Sequence, residues 1–323
     1  MRRSLSRICS RTDIEPSRWR AREGNLASSI RSPPMIVIFN PTAGRRRVAA
    51  LWRVLDILAA SGVRIEVTAT ERPGHATVLA RTAAEAGVPL VVGAGGDGTI
   101  AEVAQGLAGY ATQLGVIPIG TANVLARELR LPFAPRDVAA ALTARRSRPI
   151  WPGVFAGSDG LRLFVQMVSV GFDANVVHSL PLALKRALGR GAYAVQTLRQ
   201  LGRYPYPRIR LSIDGETVEA GNVIVSKGRL YAGTYVLAPK GDPGRTGFQI
   251  ALFERSGPGA TLVYGAALPT GLLAQLPGVR IMAGHDIAFL GCDGIPVQAD
   301  GDAAGHTPIH ITDAAAPLSV VVV

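Results

Sequence analysis

Over the first half of the chain, short apolar runs alternate with stretches of helical period. The runs are Met35–Phe39, Val63–Thr68, Pro89–Val92 and Leu114–Ile119. All but the second are continuous rather than alternating, the pattern of parallel strands buried on both faces. Between the first two, Val48, Leu51, Trp52, Leu55 and Leu58 recur at helical spacing, and Gly62 stops that helix. Further helices are predicted over His75–Ala86, Thr99–Leu107, Ala122–Leu129 and Asp137–Ala144. This alternation predicts an α/β fold, an open parallel sheet with helices on both faces.

The pattern changes around Arg145–Trp151. Strands are predicted at Leu161–Val170, Arg208–Ile213, Val218–Ser226, Tyr231–Leu237, Phe248–Phe253 and Asp286–Phe289, with more at Gln298–Ala299 and Pro317–Val323. Turn signals stand at Asp214-Gly215, Asp242-Pro243-Gly244, Asp293-Gly294 and Asp300-Gly301. The second half therefore reads as a β-sandwich with a helical insert at about Asp173–Leu201. The expected division is a basic tail over residues 1–34, an α/β domain over 35–147 and a sandwich domain over 148–323. An uncharged stretch runs from Gly257 to Val279, but Gly259, Gly265, Pro269, Gly271 and Pro277 dilute it. It is expected to be a helix packed inside a domain rather than a membrane span.

The 323 residues suffice for a real core, and 48% hydrophobic against 18% charged residues exclude a mainly disordered chain. Cys9 and Cys292 are the only cysteines, which excludes a disulfide framework and suits a reducing, cytoplasmic setting. The formal net charge is +12. Such an excess invites nucleic acid, an anionic membrane or a phosphorylated ligand. Residues 1–34 hold eight Arg against Asp13, Glu15 and Glu23, so nearly half of the excess lies in a segment read as a disordered extension, with translation from Met35 as the sharper reading. Nucleic-acid binding rests on charge alone, since zinc-finger and RRM signatures are absent and aromatic residues make up only 6%.

In an open α/β sheet, ligands sit beyond the carboxyl ends of the strands. Three segments fall there: Asn40-Pro41-Thr42-Ala43-Gly44, Gly93-Ala94-Gly95-Gly96-Asp97-Gly98-Thr99 and Gly120-Thr121-Ala122-Asn123. Backbone amides in such turns, followed by helix N-termini, suit anionic oxygens. Gly93-x-Gly95-x-x-Gly98 matches a dinucleotide fingerprint only formally, since it follows the third strand and lacks the later acidic residue; a Walker sequence is absent. A carboxylate and a hydroxyl inside Gly-Gly-Asp-Gly-Thr exceed what a turn requires and favour phosphate binding.

These segments, with Val170-Gly171-Phe172-Asp173-Ala174, Tyr231-Ala232-Gly233, Ala238-Pro239 and Val297-Gln298-Ala299-Asp300-Gly301-Asp302, resemble the diacylglycerol kinase catalytic-domain family. That family also holds sphingosine, ceramide and bacterial lipid kinases and is related to NAD kinases and phosphofructokinases. The resemblance covers Met35 to the C-terminus. It implies an ATP-binding α/β domain, a lipid-binding β-sandwich and Mg²⁺-dependent transfer of the γ-phosphate to a hydroxyl of diacylglycerol or a long-chain base, a reaction of phospholipid metabolism. By the same resemblance Asn40, Pro41, Thr42, Ala43, Gly44, Thr70, Thr121 and Asn123 surround the nucleotide, and Gly95, Gly96, Asp97, Gly98, Thr99, Ile100, Ala101 and Glu102 cradle its phosphates. Asp97 would hold Mg²⁺ or orient the acceptor hydroxyl. Asp302 would accept the proton, with Asp300 or a water as substitute, because relatives usually carry Asp-Gly-Glu there. Val124 stands where relatives often have Asp, and Thr246-Gly247 where they often have Asp-Gly.

Between Asp173 and Asp214 there is no acidic residue, while Lys185, Arg186, Arg190, Arg199, Arg203, Arg208 and Arg210 are interleaved with leucines. This predicts either a solvated helical face or a basic amphipathic insert that makes peripheral contact with an anionic membrane. The rival functions are an NAD kinase-like small-molecule kinase and a non-catalytic nucleotide- or lipid-binding regulator. His75 and His178 are expected in surface or helix-cap roles. A homodimer is compatible with the sequence, which does not specify one.

Overall fold

The computed structural model describes residues 34–41, 48–158, 160–181, 184, 191–291 and 293–323. Residues 1–33 of the tail, Thr42, Ala43, Gly44, Lys185, Arg186, Arg190 and both cysteines lie outside the described residues.

Four strands, β1 (Met35–Phe39), β2 (Ile65–Ala69), β3 (Leu90–Gly95) and β4 (Gln113–Pro118), form a parallel sheet in the order β2-β1-β3-β4. Helices α1 (Val48–Ala60), α2 (His75–Glu85), α3 (Asp97–Leu107), α4 (Val124–Glu128) and α5 (Pro135–Ala144) accompany it. The continuous apolar runs have the predicted cause: every residue of β3 is buried. α1 buries Leu51, Val54, Leu55 and Leu58, its apolar stripe. α3 starts at Asp97, two residues before the predicted Thr99, so the acid belongs to the first helical turn. α4 starts only at Val124, because Asn123 takes a left-handed conformation with φ 49°.

The sheet continues through β20 (Leu318–Val321), parallel to β4, and β5 (Ser147–Ile150), antiparallel to β20. This corrects the placement of Pro317–Val323 in the sandwich. Leu318 and Val320 are buried in the same core as Leu114, Val116 and Ile150. A short apolar run fits either core, and only the packed chain selects one.

The second half is a sandwich of two six-stranded sheets. One contains β6 (Gly153–Gly157), β7 (Gly160–Phe164), β9 (Ile209–Ile213), β10 (Glu216–Ala220), β16 (Ile287–Leu290) and β19 (His310–Asp313). The other contains β8 (Met167–Val170), β11 (Asn222–Ser226), β14 (Phe248–Phe253), β15 (Val279–Gly284), β17 (Pro296–Ala299) and β18 (Asp302–His306). Between them pack Phe155, Phe164, Val168, Val223, Val225, Phe248, Ile250 and Val297. Phe164 stacks on Phe248 with ring centroids 5.8 Å apart. The short β12 (Leu230–Tyr231) and β13 (Tyr235–Val236) replace the predicted Tyr231–Leu237 strand, where the chain turns at Ala232 and Gly233 with φ 50° and 117°.

Two predicted strands are each divided between the sheets. Leu161–Val170 becomes β7 and β8, and Val218–Ser226 becomes β10 and β11. An apolar run crossing from one layer to the other keeps its hydrophobicity, so its composition hides the break. The outer face of the β8 sheet is covered by α6 (Phe172–His178), α7 (Gly191–Gln200) and α8 (Pro258–Ala267). α8 and two 3₁₀ turns make up the uncharged stretch, and among the described residues no helix is long and apolar enough to cross a membrane. Lys227, 1% exposed, spans the end of the sandwich. Its Nζ donates to Arg245 O (3.0 Å), Gly247 O (2.9 Å) and Asp313 Oδ1 (2.7 Å), so each ammonium proton has an acceptor.

Candidate active site

The turns after β1, β3 and β4 are bound to one another through backbone. Asn40 N donates to Ala94 O at 3.1 Å, and Ile119 N and Gly120 N both donate to Gly95 O, at 3.2 and 3.0 Å. A β-carbon on Gly120 would overlap Gly96 Cα, so the two glycine turns touch only because position 120 carries no side chain. Asn123 closes the third turn, donating from Nδ2 to Gly120 O at 2.9 Å. Asn40 reaches across to α3, donating from Nδ2 to Thr99 Oγ1 at 3.2 Å. Thr70 follows β2 beside them, its N–H on Phe39 O at 2.8 Å.

Asp97 sits at the junction. It opens α3, and its Oδ1 accepts from Leu125 N of α4 at 3.2 Å. Burial raises its pKa above the ordinary carboxylate value, while the amides of Leu125, Val124 and Asn123 oppose the rise. Val124, the position where relatives often have an acid, is itself buried. At position 124, therefore, a backbone amide and not a carboxylate faces Asp97.

Two more acids come from the sandwich. β17 and β18 pair with Ala299 opposite Asp302, leaving Asp300-Gly301 as a two-residue loop with φ 50° and 86°. Positive φ at both positions makes this a type I′ turn, the form that suits the twist of a hairpin. The turn directs Asp300 inward. Its Oδ2 accepts from Val165 N (2.8 Å), and its Oδ1 accepts from Gln166 N (2.8 Å) and Met167 N (3.0 Å). Those amides are the break between β7 and β8, which they need an acceptor to fill. Burial pushes the Asp300 carboxyl up to about 6; the three amides pull it down, and the charge of Asp97 raises it further. Asp302 comes next and lies on the phosphate-type turn: a β-carbon at Gly98 would overlap Asp302 Oδ2.

The structure thus gathers Asn40, Gly95, Gly96, Asp97, Gly98, Thr99, Gly120 and Asn123 with Asp300 and Asp302. Thr121 is exposed at the rim, and Pro41 and Thr70 are half-buried. Ile100 and Ala101 are buried in the α/β core, so their side chains fix α3 rather than line the turn. Glu102 turns to α2: Oε1 accepts from Gly74 N (2.9 Å), Oε2 from Ala76 N (3.1 Å), and its carbonyl accepts from the Thr77 hydroxyl (2.9 Å). It thereby ties the turn after Thr70 to α3. His75 Nδ1 accepts from Glu71 N at 3.1 Å, a helix-start role, and His178 Nε2 meets Val297 O at 2.8 Å.

Two residues that the sequence did not single out join the halves. Glu128 is buried and accepts from Arg229 N (2.9 Å), Leu230 N (2.8 Å) and Arg229 Nε (3.0 Å). Gln105 Oε1 accepts from Leu163 N at 2.6 Å. Glu128 was discoverable as the one acid of the predicted helical run Ala122–Leu129; Gln105 carries no comparable signal.

A nucleotide triphosphate fits the glycine turns, whose contact surface is backbone. Among the described residues no three His, Cys, Asp or Glu side chains form a ready metal cluster. Asp97 and Asp302 are the carboxylates beside the glycine turn, while Asp300 faces the 165–167 amides. That suits Mg²⁺, which takes one or two carboxylates and completes its shell with phosphate and water.

The family model for the diacylglycerol kinase catalytic domain matches residues 34–154, and that for the YegS C-terminal NAD kinase beta sandwich-like domain matches residues 166–323. A YegS-like probable lipid kinase of Chromohalobacter salexigens is 38% identical over 165 residues, 48% of this chain and 50% of that protein, so the match spans half of the relative's length. Another from Pseudomonas aeruginosa is 32% identical over 216 residues, 64% of this chain and 67% of that protein. A diacylglycerol kinase of Bacillus subtilis is 34% identical over 184 residues, covering 56% and 59%. A diacylglycerol kinase crystal structure from Bacillus anthracis superposes with a TM-score of 0.66 at 19% identity, covering 90% of this chain and 97% of that one, and so shares the fold. With both family models in order along one chain, on this fold, the protein belongs to the diacylglycerol kinase catalytic-domain family of YegS-like lipid kinases.

Proposed function

We propose that the protein is an ATP-dependent lipid kinase that transfers the γ-phosphate to the hydroxyl of diacylglycerol or a sphingoid long-chain base. The observation that carries this reading is the seat of Asp302, an acid of the sandwich, against Gly98 in the first turn of α3. In this reading Asp302 is the proton acceptor, and its seat beside a helix N-terminus and glycine turns of the kind that suit phosphate supports the role. On the same reading the α/β half, whose sheet includes β5 and β20, binds the nucleotide and the sandwich binds the lipid.

The backbone of Gly95 to Thr99 and the Asn40 side chain orient the phosphates, and Thr121 and Asn123 border the nucleotide. Mg²⁺ held at Asp97 would neutralise phosphate charge as it moves to the leaving oxygen. Asp302 takes the proton from the attacking hydroxyl. Asp300 holds the 165–167 segment and keeps the hairpin in place.

Peripheral contact with an anionic membrane from the cytoplasm accords with the surface. Leu198 in α7 and Leu262 and Val263 in α8 are exposed at 64%, 50% and 56%, and Arg199, Arg203 and Arg208 are exposed nearby in the chain. Tyr206 and Thr261 are in side-chain hydrogen-bond contact, which joins these two segments.

Labelled-phosphate transfer from ATP, measured against a lipid panel and NAD, tests the reading. Transfer to a lipid that is abolished by Asp97→Asn and by Asp302→Asn is expected. Transfer to NAD alone would establish the small-molecule kinase. ATP binding without transfer to any acceptor would establish a regulator.

A further inference from the structure

The Asp300-Gly301 turn is held from beneath by a chain of hydrogen bonds that crosses the outer face of the β8 sheet. Gly301 N donates to Gln298 Oε1 at 2.8 Å. Gln298 Nε2 donates to Asp173 Oδ2 at 3.4 Å. That carboxylate also accepts from Ser169 Oγ at 2.5 Å and, through Oδ1, from the Tyr231 hydroxyl. Asp173 is itself fixed at the start of α6, its N–H on Asn222 Oδ1 at 3.2 Å. Gln298 is only 2% exposed, so water does not substitute for these partners.

The chain is directional. Asp173 accepts only, so the amide nitrogen of Gln298 must face it, which leaves the amide oxygen for Gly301 N–H. The reversed amide would set oxygen against carboxylate and N–H against N–H. The turn needs this help, because Asp300 is held at a φ of 50°, a left-handed conformation that costs a residue with a side chain free energy. Relaxation of Asp300 to a negative φ would re-aim the flanking acids.

We propose that Gln298, oriented by Asp173, is a positioning residue that selects the turn conformation seating Asp302 over Gly98 and Asp300 under the 165–167 amides. The functional part rests on the reading of Asp302 as proton acceptor. Titratable groups around Gln298 are Asp173 and His178 of α6, Tyr231, His306 of β18, Asp300 and Asp302 of its own hairpin, and Asp97 beyond them.

The test compares the full chain with Gln298→Met and Gln298→Glu. Methionine keeps the length and removes both hydrogen bonds. It is expected to lower kcat by about tenfold or more with KM for ATP within about twofold, the mark of an interaction used after nucleotide binding. Glutamate sets a second carboxyl against Asp173. The pair holds a shared proton at acidic pH, which restores the donor, and loses it as pH rises, so activity is expected near wild type at the acidic end and to fall away towards neutral pH. Independently of turnover, NMR is expected to show loss of hydrogen-exchange protection at Gly301 N–H in Gln298→Met. Unchanged kcat with an unchanged Gly301 amide overturns the proposal, as does a Gln298→Glu pH profile identical to wild type. A parallel drop in ATP affinity, kcat and melting temperature also overturns it, since that marks only a structural role. If wild type phosphorylates no lipid, the kinase reading fails, and the Gly301 amide measurement still decides whether Gln298 holds the turn.

Discussion

Asp302 of the sandwich lies against Gly98 of the α/β half so closely that any side chain at position 98 would displace it. Gly98→Ala is therefore expected to act at a distance in sequence, by pushing Asp302 off the turn. A general base contributes on the order of 10²–10⁴ in rate, and Gly98→Ala should forfeit a comparable part of it. Kinetics of Gly98→Ala, Asp302→Asn and the double variant check this. The double variant should lose no more than Asp302→Asn alone, because both remove the same group.

Asp300 gives the stability a pH dependence of known sign. The folded chain keeps its proton up to about pH 6, whereas the ordinary carboxyl releases it near 3.8. The folded state therefore binds more protons in between, and stability is lost as pH rises from about 4 to 6 and stays lost above it. Other carboxylates act in the opposite sense, so the difference from Asp300→Ala isolates the effect. Urea unfolding at pH 4 and pH 7 should show a wild-type contribution on the order of 1–3 kcal/mol that the variant lacks.

Glu128 should matter to stability more than its place in a five-residue helix suggests. Glu128→Ala leaves the N–H groups of Arg229 and Leu230 without their acceptor at a buried contact. The expected cost is about 2–3 kcal/mol, with Glu128→Gln losing less because one oxygen remains. The Arg229 guanidinium is 41% exposed and adds little to this figure. Denaturant midpoints at constant m check the difference.

Membrane contact predicts separable losses. Leu262→Asp with Val263→Asp should weaken sedimentation with phosphatidylserine vesicles at any salt concentration. Replacing Arg199 and Arg203 by Gln should remove mainly the salt-sensitive part, about 1 kcal/mol for each charge near the surface. Equal binding of wild type to neutral and anionic vesicles would refute the electrostatic contribution.

The sequence by itself determined the strand–helix alternation, the parallel sheet and the glycine turns beyond its strands. Continuous apolar runs are what a doubly covered strand requires, and Gly120 stands where backbone must approach backbone. The type I′ turn at Asp300-Gly301 was legible for the same local reason. Tertiary structure alone decided the rest. β20 left the sandwich for the first sheet because its apolar side chains suit either core. The Leu161–Val170 run broke between two layers, and the break supplies the amides that bury Asp300. Glu102, beside the glycine turn in sequence, went to the start of α2, while Asp302, far along the chain, came to rest on Gly98. Local pattern records what a residue can do within a few positions of itself, but which acids share a site depends on packing between distant segments, where many pairings satisfy the same pattern.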